Sequence, residues 1–203
     1  MISRPLRIGF LASGNGSSAA TIVDAIASGV LAAESRLLVS NKKSAQALSW
    51  AAARGVPALA IPTIGDPEAA DRALADAMTA HGVELMVLSG YLRRLGPVTL
   101  GRYAGRILNI HPGPLPQFGG EGMYGARVHQ AVLAAGLAES AIVIHLVDEE
   151  YDHGPELARR GVPVSATDTA QSLQDRIKGL EPAFFLETLQ RLAAGDLELP
   201  DAV

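Results

Sequence analysis

The feature that most constrains the fold of this chain is a regular alternation of short apolar runs with amphipathic helical segments. The first run, Leu6–Ala12, and the last, Ala141–Val147, are almost continuously apolar, as is typical of strands that are buried on both faces. Strands that alternate with helices favour a parallel sheet covered by helices. The pattern therefore predicts an α/β fold, a doubly wound and mostly parallel sheet with helices on both faces.

Six runs have the length and composition of strands, and six segments have the periodicity and end signals of helices. The predicted strands are Leu6–Ala12, Arg36–Ser40, Ala58–Ile61, Glu84–Ser89, Arg106–Ile110 and Ala141–Val147, with Val162–Val164 as a candidate edge strand. The predicted helices are Ser17–Ser28, Ser44–Arg54, Pro67–His81, Pro97–Tyr103, Arg127–Ala135 and Thr169–Ala194. No linker-like stretch divides the series, so we expect one domain over residues 1–203.

One long connection interrupts the short ones. Between Pro112 and Gly125 the chain is rich in proline and glycine, which is incompatible with regular structure and predicts a long surface loop. Long loops at strand ends are where functional sites usually lie.

Charge and composition exclude several classes of function. Seventeen Lys and Arg against 21 Asp and Glu give a net charge of −4, so the chain lacks the positive field that collects nucleic acid or anionic lipid. The sequence has no cysteine, which removes disulfides, thiolate catalysis and Cys-ligated metals. No stretch approaches the roughly 18 apolar residues of a membrane span. We therefore expect a soluble, cytoplasmic protein with no nucleic-acid or membrane partner.

A glycine-rich turn, Ser13–Ser18, follows the first predicted strand and opens a helix. Backbone N–H groups at a helix N-terminus favour an anion such as phosphate, and Ser17 or Ser18 can add a hydroxyl. The turn matches the relaxed dinucleotide fingerprint, but the second strand ends in Ser40-Asn41 and lacks the acidic residue that holds an adenosine ribose, which disfavours NAD. The alternative is a turn that needs its glycines for backbone reasons only.

Asn109 and His111 close the fifth predicted strand. Strand side chains alternate with period two, so these two project to the same side. The pair suits acyl transfer, because an amide N–H can stabilise a developing oxyanion and an imidazole can donate or accept a proton. The alternative is an ordinary hydrogen-bonding pair at a strand end.

A carboxylate would complete this pair, and Asp152 is the candidate. It follows the Ala141–Val147 run and reaches the same sheet edge if that strand and the fifth are parallel neighbours. Its charge would favour the imidazolium.

The other histidines have weaker claims to function. We expect His145 to be a satisfied buried imidazole inside a strand and His129 to start a helix, whereas His153 adjoins Asp152 and could perturb it. No zinc-site spacing and no serine-hydrolase elbow are present.

Taken together, five segments closely resemble the folate-dependent glycinamide ribonucleotide formyltransferases of purine synthesis. They are Ser13-Gly14-Asn15-Gly16-Ser17, Ser40-Asn41-Lys42, Ser89-Gly90-Tyr91-Leu92-Arg93, Leu108-Asn109-Ile110-His111-Pro112 and Asp148-Glu149-x-x-Asp152-x-Gly154-Pro155. The resemblance spans about residues 6 to 195 and implies a formyl transfer from 10-formyltetrahydrofolate to glycinamide ribonucleotide, without a metal, by a monomer or homodimer.

The resemblance also implies roles for particular residues. Asn109, His111 and Asp152 match the family's catalytic trio. Gly16, Ser17 and Ser18 match its phosphate loop, and Glu181 matches a glutamate that binds the glycinamide end. Leu92, Arg93, Arg94 and Leu95, with Asn109, match the folate-binding residues.

Three departures from the family pattern affect these expectations. The loop after His111 is extended, an arginine that contacts folate in some members is replaced by Pro67, and the usual Asp-Gly-Gly-Pro is Asp152-His153-Gly154-Pro155. Among sister enzymes, methionyl-tRNA formyltransferases add a basic C-terminal domain and formyltetrahydrofolate deformylases add an N-terminal regulatory domain. We expect neither here. The alternative of another class is a non-catalytic nucleotide-binding module that uses only the glycine-rich turn.

Overall fold

The computed structural model describes residues 4–200, in which seven strands form one sheet in the order β3-β2-β1-β4-β5-β6-β7. The strands are β1 (Leu6–Leu11), β2 (Ala33–Ser40), β3 (Ala58–Ala60), β4 (Leu85–Leu88), β5 (Ile107–His111), β6 (Glu139–Leu146) and β7 (Glu156–Pro163). Strands β1 to β5 pair in parallel, whereas β6 and β7 pair antiparallel at one side. The predicted mostly parallel sheet is confirmed.

In the described part of the chain, six helices connect and cover the strands. They are α1 (Ser17–Ala27), α2 (Gln46–Ala53), α3 (Pro67–Ala80), α4 (Pro97–Arg102), α5 (Ala126–Ala134) and α6 (Ala170–Ala194). The start of α6 is fixed by a capping box, in which the Thr169 side chain accepts from the Ser172 N–H and the Ser172 hydroxyl accepts from the Thr169 N–H. Within residues 4–200, no helix is both long and apolar enough to cross a membrane.

Two apolar clusters lie against the two faces of the sheet. Ile8 and Phe10 of β1 belong to one cluster, which includes Phe185 of α6, whereas Leu11 belongs to the other, together with Met78 of α3. This alternation along β1 buries both sides of the strand. Helices therefore cover both faces, as the continuous apolar runs predicted. The prediction that residues 1–203 form one domain stays a prediction.

Asp152 was placed at this sheet edge on the condition that β5 and β6 are parallel neighbours, and this condition is not met, because the two strands run antiparallel. Asn109 pairs with His145 and His111 pairs with Val143 in antiparallel register. The chain leaves β5, passes through the long loop and α5, and re-enters the sheet beyond the carboxyl end of β5. A run of apolar residues encodes burial but not strand direction, so the sequence pattern did not distinguish the two arrangements.

The edge strand β7 is longer than the predicted Val162–Val164. It begins at Glu156 and includes Arg159 and Arg160. An edge strand leaves polar side chains in solvent, so the apolar pattern did not mark this part of the strand.

The long loop also differs from a simple surface loop. Gly113 is buried and most of its neighbours up to Gly125 are half-buried, since the loop folds back over the end of β5.

Candidate active site

A cavity of about 650 Å³ lies at the carboxyl ends of β4 and β5. Open α/β sheets bind their ligands at this edge. Its walls are the segment after β4, the loop at residues 120–125, and the first half of α6. The charged side chains that line it are Glu121, Arg127, Asp152, Lys178 and Glu181.

Asn109 and His111 both line this cavity from β5, and the side chains of both contact Asp152, which confirms that they project to the same side. Asn109 Nδ2 lies 3.5 Å from Asp152 Oδ1, and His111 Nδ1 lies 3.4 Å from Asp152 Oδ2. The second ring nitrogen of His111, Nε2, lies 2.7 Å from the Phe118 carbonyl oxygen and donates to it. The imidazole is thus held between two oxygen acceptors.

Asp152 reaches the other two residues by a different route from the predicted one. The antiparallel hairpin of β6 and β7 carries it in its connection, which folds back over the end of β5. Asp152 has φ +55°, and among residues 4–200 it is the only non-glycine residue in the left-handed region. Backbone strain of this kind recurs at functional sites, where the surrounding structure holds it in place.

The Asp152 carboxylate is ionised. Burial acts to raise its pKa, but the contacts with His111 and His145, the charge of His111 and the Gly120 N–H, 3.1 Å from Oδ2, outweigh burial and hold the pKa well below its usual range. A carboxylate that is buried yet ionised can stabilise a cation or accept a proton at neutral pH.

His145 is a site residue that the sequence analysis treated as structural. It is buried, as expected, and its Nδ1 donates to the Leu146 carbonyl oxygen at 2.8 Å. Its Nε2 then accepts from Asn109 Nδ2 at 3.1 Å, which orients the Asn109 amide. The antiparallel register places these two residues opposite each other, and no sequence signal showed that register.

His129 is a second residue of this kind. It lies in the first turn of α5, as expected, but its ring is buried and lines the cavity, and its Nδ1 has no hydrogen-bond partner within residues 4–200. Burial, followed by the nearby charges of Lys178 and His111, lowers the pKa of His129 to about 4. The ring is therefore neutral at physiological pH.

Glu181, for which the family resemblance implied a substrate-binding role, lines the cavity from α6. Burial raises its pKa to about 7, against smaller opposing effects of Lys178 and His111. Near neutral pH this side chain therefore exists in both protonation states.

The glycine-rich turn has the predicted strand–turn–helix form. Gly16 caps α1 with φ +63°, and Ser17 and Ser18 begin the helix. Ser13 Oγ connects the turn to neighbouring strand ends, since it donates to Asn41 Oδ1 at 2.6 Å and accepts from the Leu92 N–H at 2.8 Å. Gly16, Ser17 and Ser18 do not line the cavity; they lie beside it, at the next strand end.

Of the four residues Leu92-Arg93-Arg94-Leu95, only the first lines the cavity. Leu92 is exposed and lines the cavity, whereas Leu95 is buried in the core cluster that contains Leu11. Arg94 donates to the Glu149 carbonyl oxygen and lies over the Tyr151 ring. Arg94 also borders a separate cavity of about 90 Å³, whose lining includes Pro67.

His153 was expected to perturb Asp152, but its side chain does not contact that residue. Its Nδ1 lies 2.8 Å from Asp148 Oδ2, and the resulting ion pair is the main reason that the pKa of His153 is raised.

Across residues 4–200, no group of three or more histidine or acidic side chains has the arrangement of a metal site.

The fold and the site together place an amide, an imidazole and a carboxylate at the carboxyl edge of an α/β sheet, an arrangement that suits group transfer. Comparison with known proteins specifies the class further. The model of the family described as formyl transferase matches residues 6–189. This chain belongs to the formyl transferase family.

Named relatives and solved structures agree with this membership. The chain is 34% identical over 183 residues to a phosphoribosylglycinamide formyltransferase of Bacillus subtilis, covering 89% of this chain and 91% of the relative. It is 36% identical to the chloroplastic phosphoribosylglycinamide formyltransferase of Vigna unguiculata, covering 93% of this chain but 61% of that longer relative. The crystal structure of glycinamide ribonucleotide transformylase 1 from Symbiobacterium toebii superposes with a TM-score of 0.87 at 31% identity, covering 98% of this chain and 92% of that one.

Proposed function

We propose that this protein transfers the formyl group of 10-formyltetrahydrofolate to the primary amine of glycinamide ribonucleotide, in purine synthesis. The observation that carries the proposal is the cluster of Asn109, His111 and Asp152, with the Asp152 carboxylate 3.4 Å from His111 Nδ1 and 3.5 Å from Asn109 Nδ2. The names of the relatives support formyl transfer to glycinamide ribonucleotide, whereas the choice of donor rests on the resemblance of the sequence motifs. A cytoplasmic location and a monomeric or homodimeric state belong to the same proposal.

The amine nitrogen attacks the formyl carbon, and a C–N bond forms while the carbonyl oxygen gains negative charge. The distances from Asp152 to the other two residues exceed the usual 2.9–3.0 Å of an N–H···O bond. The N–H groups of Asn109 and His111 therefore take the oxyanion as a new acceptor, each typically lowering the barrier by about 3 kcal/mol.

Collapse of this intermediate breaks the bond between the formyl carbon and N10 of the folate. One proton leaves the amine nitrogen and one reaches N10, so no net proton is consumed. Asp152 accepts the first, since its carboxylate is ionised and borders the cavity. It passes the proton to N10 directly or through one water molecule.

The remaining residues divide between the two substrates. Gly16, Ser17 and Ser18 bind the phosphate through the first N–H groups of α1, and Glu181 binds the amine end of the same molecule. Arg93 is exposed and does not line the cavity. Leu92 packs on the folate ring system at the cavity mouth, whereas Arg94 and Leu95 support that segment from behind. We assign them this indirect role because Leu95 is buried and Arg94 is engaged with Glu149.

The test is an assay of the purified protein with both substrates, in which deformylated folate is followed by absorbance and N-formyl product by mass. Stoichiometric formation of both supports the proposal. Release of free formate in place of the formylated product would identify a hydrolase, and formylation of a different amine only would move the protein to a sister activity.

A further inference from the structure

The long loop after β5 makes two backbone hydrogen bonds to the catalytic cluster. The Phe118 carbonyl oxygen accepts from His111 Nε2 at 2.7 Å, and the Gly120 N–H donates to Asp152 Oδ2 at 3.1 Å. We propose that residues 118–120, here called the strap, are a positioning element that determines which His111 nitrogen reacts and how the Asp152 carboxylate is oriented. This inference rests on the proposed function.

The contact with Phe118 selects the reactive nitrogen. A carbonyl oxygen can only accept, so Nε2 of His111 must carry a proton. The bond also fixes the ring plane, because His111 is anchored by its backbone in β5 and by Nε2 at the far side of the ring. Nδ1 is then the nitrogen that faces Asp152, 3.4 Å away, and it is the one that meets the formyl oxygen.

The contact with Gly120 orients the carboxylate. It engages Oδ2, the same oxygen that faces His111, whereas Oδ1 faces Asn109 and His145 at 3.5 Å each. A backbone donor on one oxygen prevents rotation of a carboxylate whose other contacts are long. One strand-end loop thus holds two catalytic residues that come from different parts of the chain.

Gly119, between the two contact residues, permits this approach. A Cβ there would lie 2.4 Å from Leu115 Cδ2 and 2.9 Å from Asp152 Cβ, and the φ of Gly119 is not in the left-handed region. Glycine is therefore required for space and not for backbone angle. Any larger residue pushes the strap away from Asp152.

The experiment compares Gly119→Ala with Gly101→Ala as a matched control. A Cβ at Gly101 meets no atom within 4 Å, and this glycine lies in α4, away from the cavity. We expect Gly119→Ala to lower kcat by about 30-fold, because displacement of reacting groups by about 1 Å costs up to about 100-fold, and to change both KM values less than about threefold. Gly101→Ala should retain wild-type kcat. Equal kcat for wild type and Gly119→Ala would overturn the proposal.

The double variant Leu115→Ala/Gly119→Ala separates two causes. It relieves the contact with Leu115 but leaves the one with Asp152 Cβ, so kcat should stay low. Full recovery of kcat would mean that the strap only packs on Leu115, and would overturn its positioning role.

Amide hydrogen exchange tests the strap independently of formyl transfer, and it does not require that Gly119→Ala folds. In the wild-type protein the Gly120 amide should be protected, and Asp152→Ala should accelerate its exchange at least about tenfold while amides in β1 remain unchanged. If the Gly120 amide exchanges at the same rate in both proteins, the positioning role of the strap is rejected, even if the enzyme transfers formyl groups. Protection that depends on Asp152 in a protein without formyl transfer would instead reject the proposed function and keep the contact.

Discussion

Nδ1 of His111 lies 3.4 Å from Oδ2 of Asp152. His111 ends β5, whereas Asp152 lies in the connection that follows the antiparallel strand β6. A charge-assisted N–H···O bond is usually 2.7–2.9 Å long. The extra distance leaves the imidazole N–H able to exchange its acceptor when substrate arrives, while the carboxylate still lies close enough to stabilise its charge.

Loss of either proposed oxyanion donor should abolish most of the activity. We expect Asn109→Ala and His111→Ala each to lower kcat by about 100-fold or more, the usual effect of removing one such donor. Formyl-transfer kinetics on folded variants provide the measurement. His81→Ala is the control, because His81 caps α3 away from the cavity and should be near normal. Normal turnover in both site variants would remove the trio from the mechanism.

Glu181 should make the folded protein less stable as pH rises. Its pKa is about 7 in the folded state against an ordinary 4.5, so its stabilising effect is fully present below about pH 4.5 and is lost as pH rises through 7. A shift of this size corresponds to as much as about 3 kcal/mol. Denaturant unfolding gives the free energy of unfolding of Glu181→Gln and of the wild type. The value for Glu181→Gln minus that for the wild type should be larger at pH 8 than at pH 5. The control is Glu68→Gln, whose side chain is exposed; a gain of the same size there would contradict the assignment to Glu181.

Asp152 should have the opposite pH dependence. Because its pKa in the folded protein is lowered, its ionised form stabilises the fold above about pH 4, the ordinary range of a carboxyl group, and this contribution is lost as pH falls towards the folded-state pKa. The free energy of unfolding of the wild-type protein should therefore decrease more between pH 5 and pH 3 than that of Asp152→Asn. Parallel curves for the two proteins would show that the carboxylate has no net stabilising partners.

Formyl transfer by Asp152→Asn should also be at least about 100-fold slower, since the substituted amide cannot accept the amine proton.

The glycine-rich turn should discriminate between the two substrates. Gly16→Ala places a Cβ at a φ of +63°, 3.1 Å from Ala12 Cβ, and shifts the N–H groups that would bind phosphate. Calorimetry should show at least tenfold weaker binding of glycinamide ribonucleotide, with folate affinity changed less than about threefold. Gly29→Ala has a similar φ, +76°, with no atom within 4 Å, so it controls for backbone strain. Equal weakening of both substrates in Gly16→Ala would mean that the turn is only structural.

Much of the fold followed from local sequence. The apolar runs of β1, β4 and β5 and the helices between them were predicted nearly to their observed ends, because burial on both faces and helix periodicity are encoded residue by residue. Asn109 and His111 were found for the same reason, since two residues of one strand separated by a single residue must face the same side. The strand–turn–helix at Gly16 was likewise set by glycine spacing.

Only the tertiary structure decided how Asp152 meets His111 and why His145 and His129 belong to the site. These contacts depend on the antiparallel direction of β6 and on a loop that folds back over β5, and neither is encoded in the composition of the segments themselves. The direction of β6 depends on where the chain re-enters the sheet after α5, and its pairing with β5 joins residues far apart in sequence. Local sequence therefore determined which side chains stand at the sheet edge, whereas the three-dimensional course of the chain determined which of them touch.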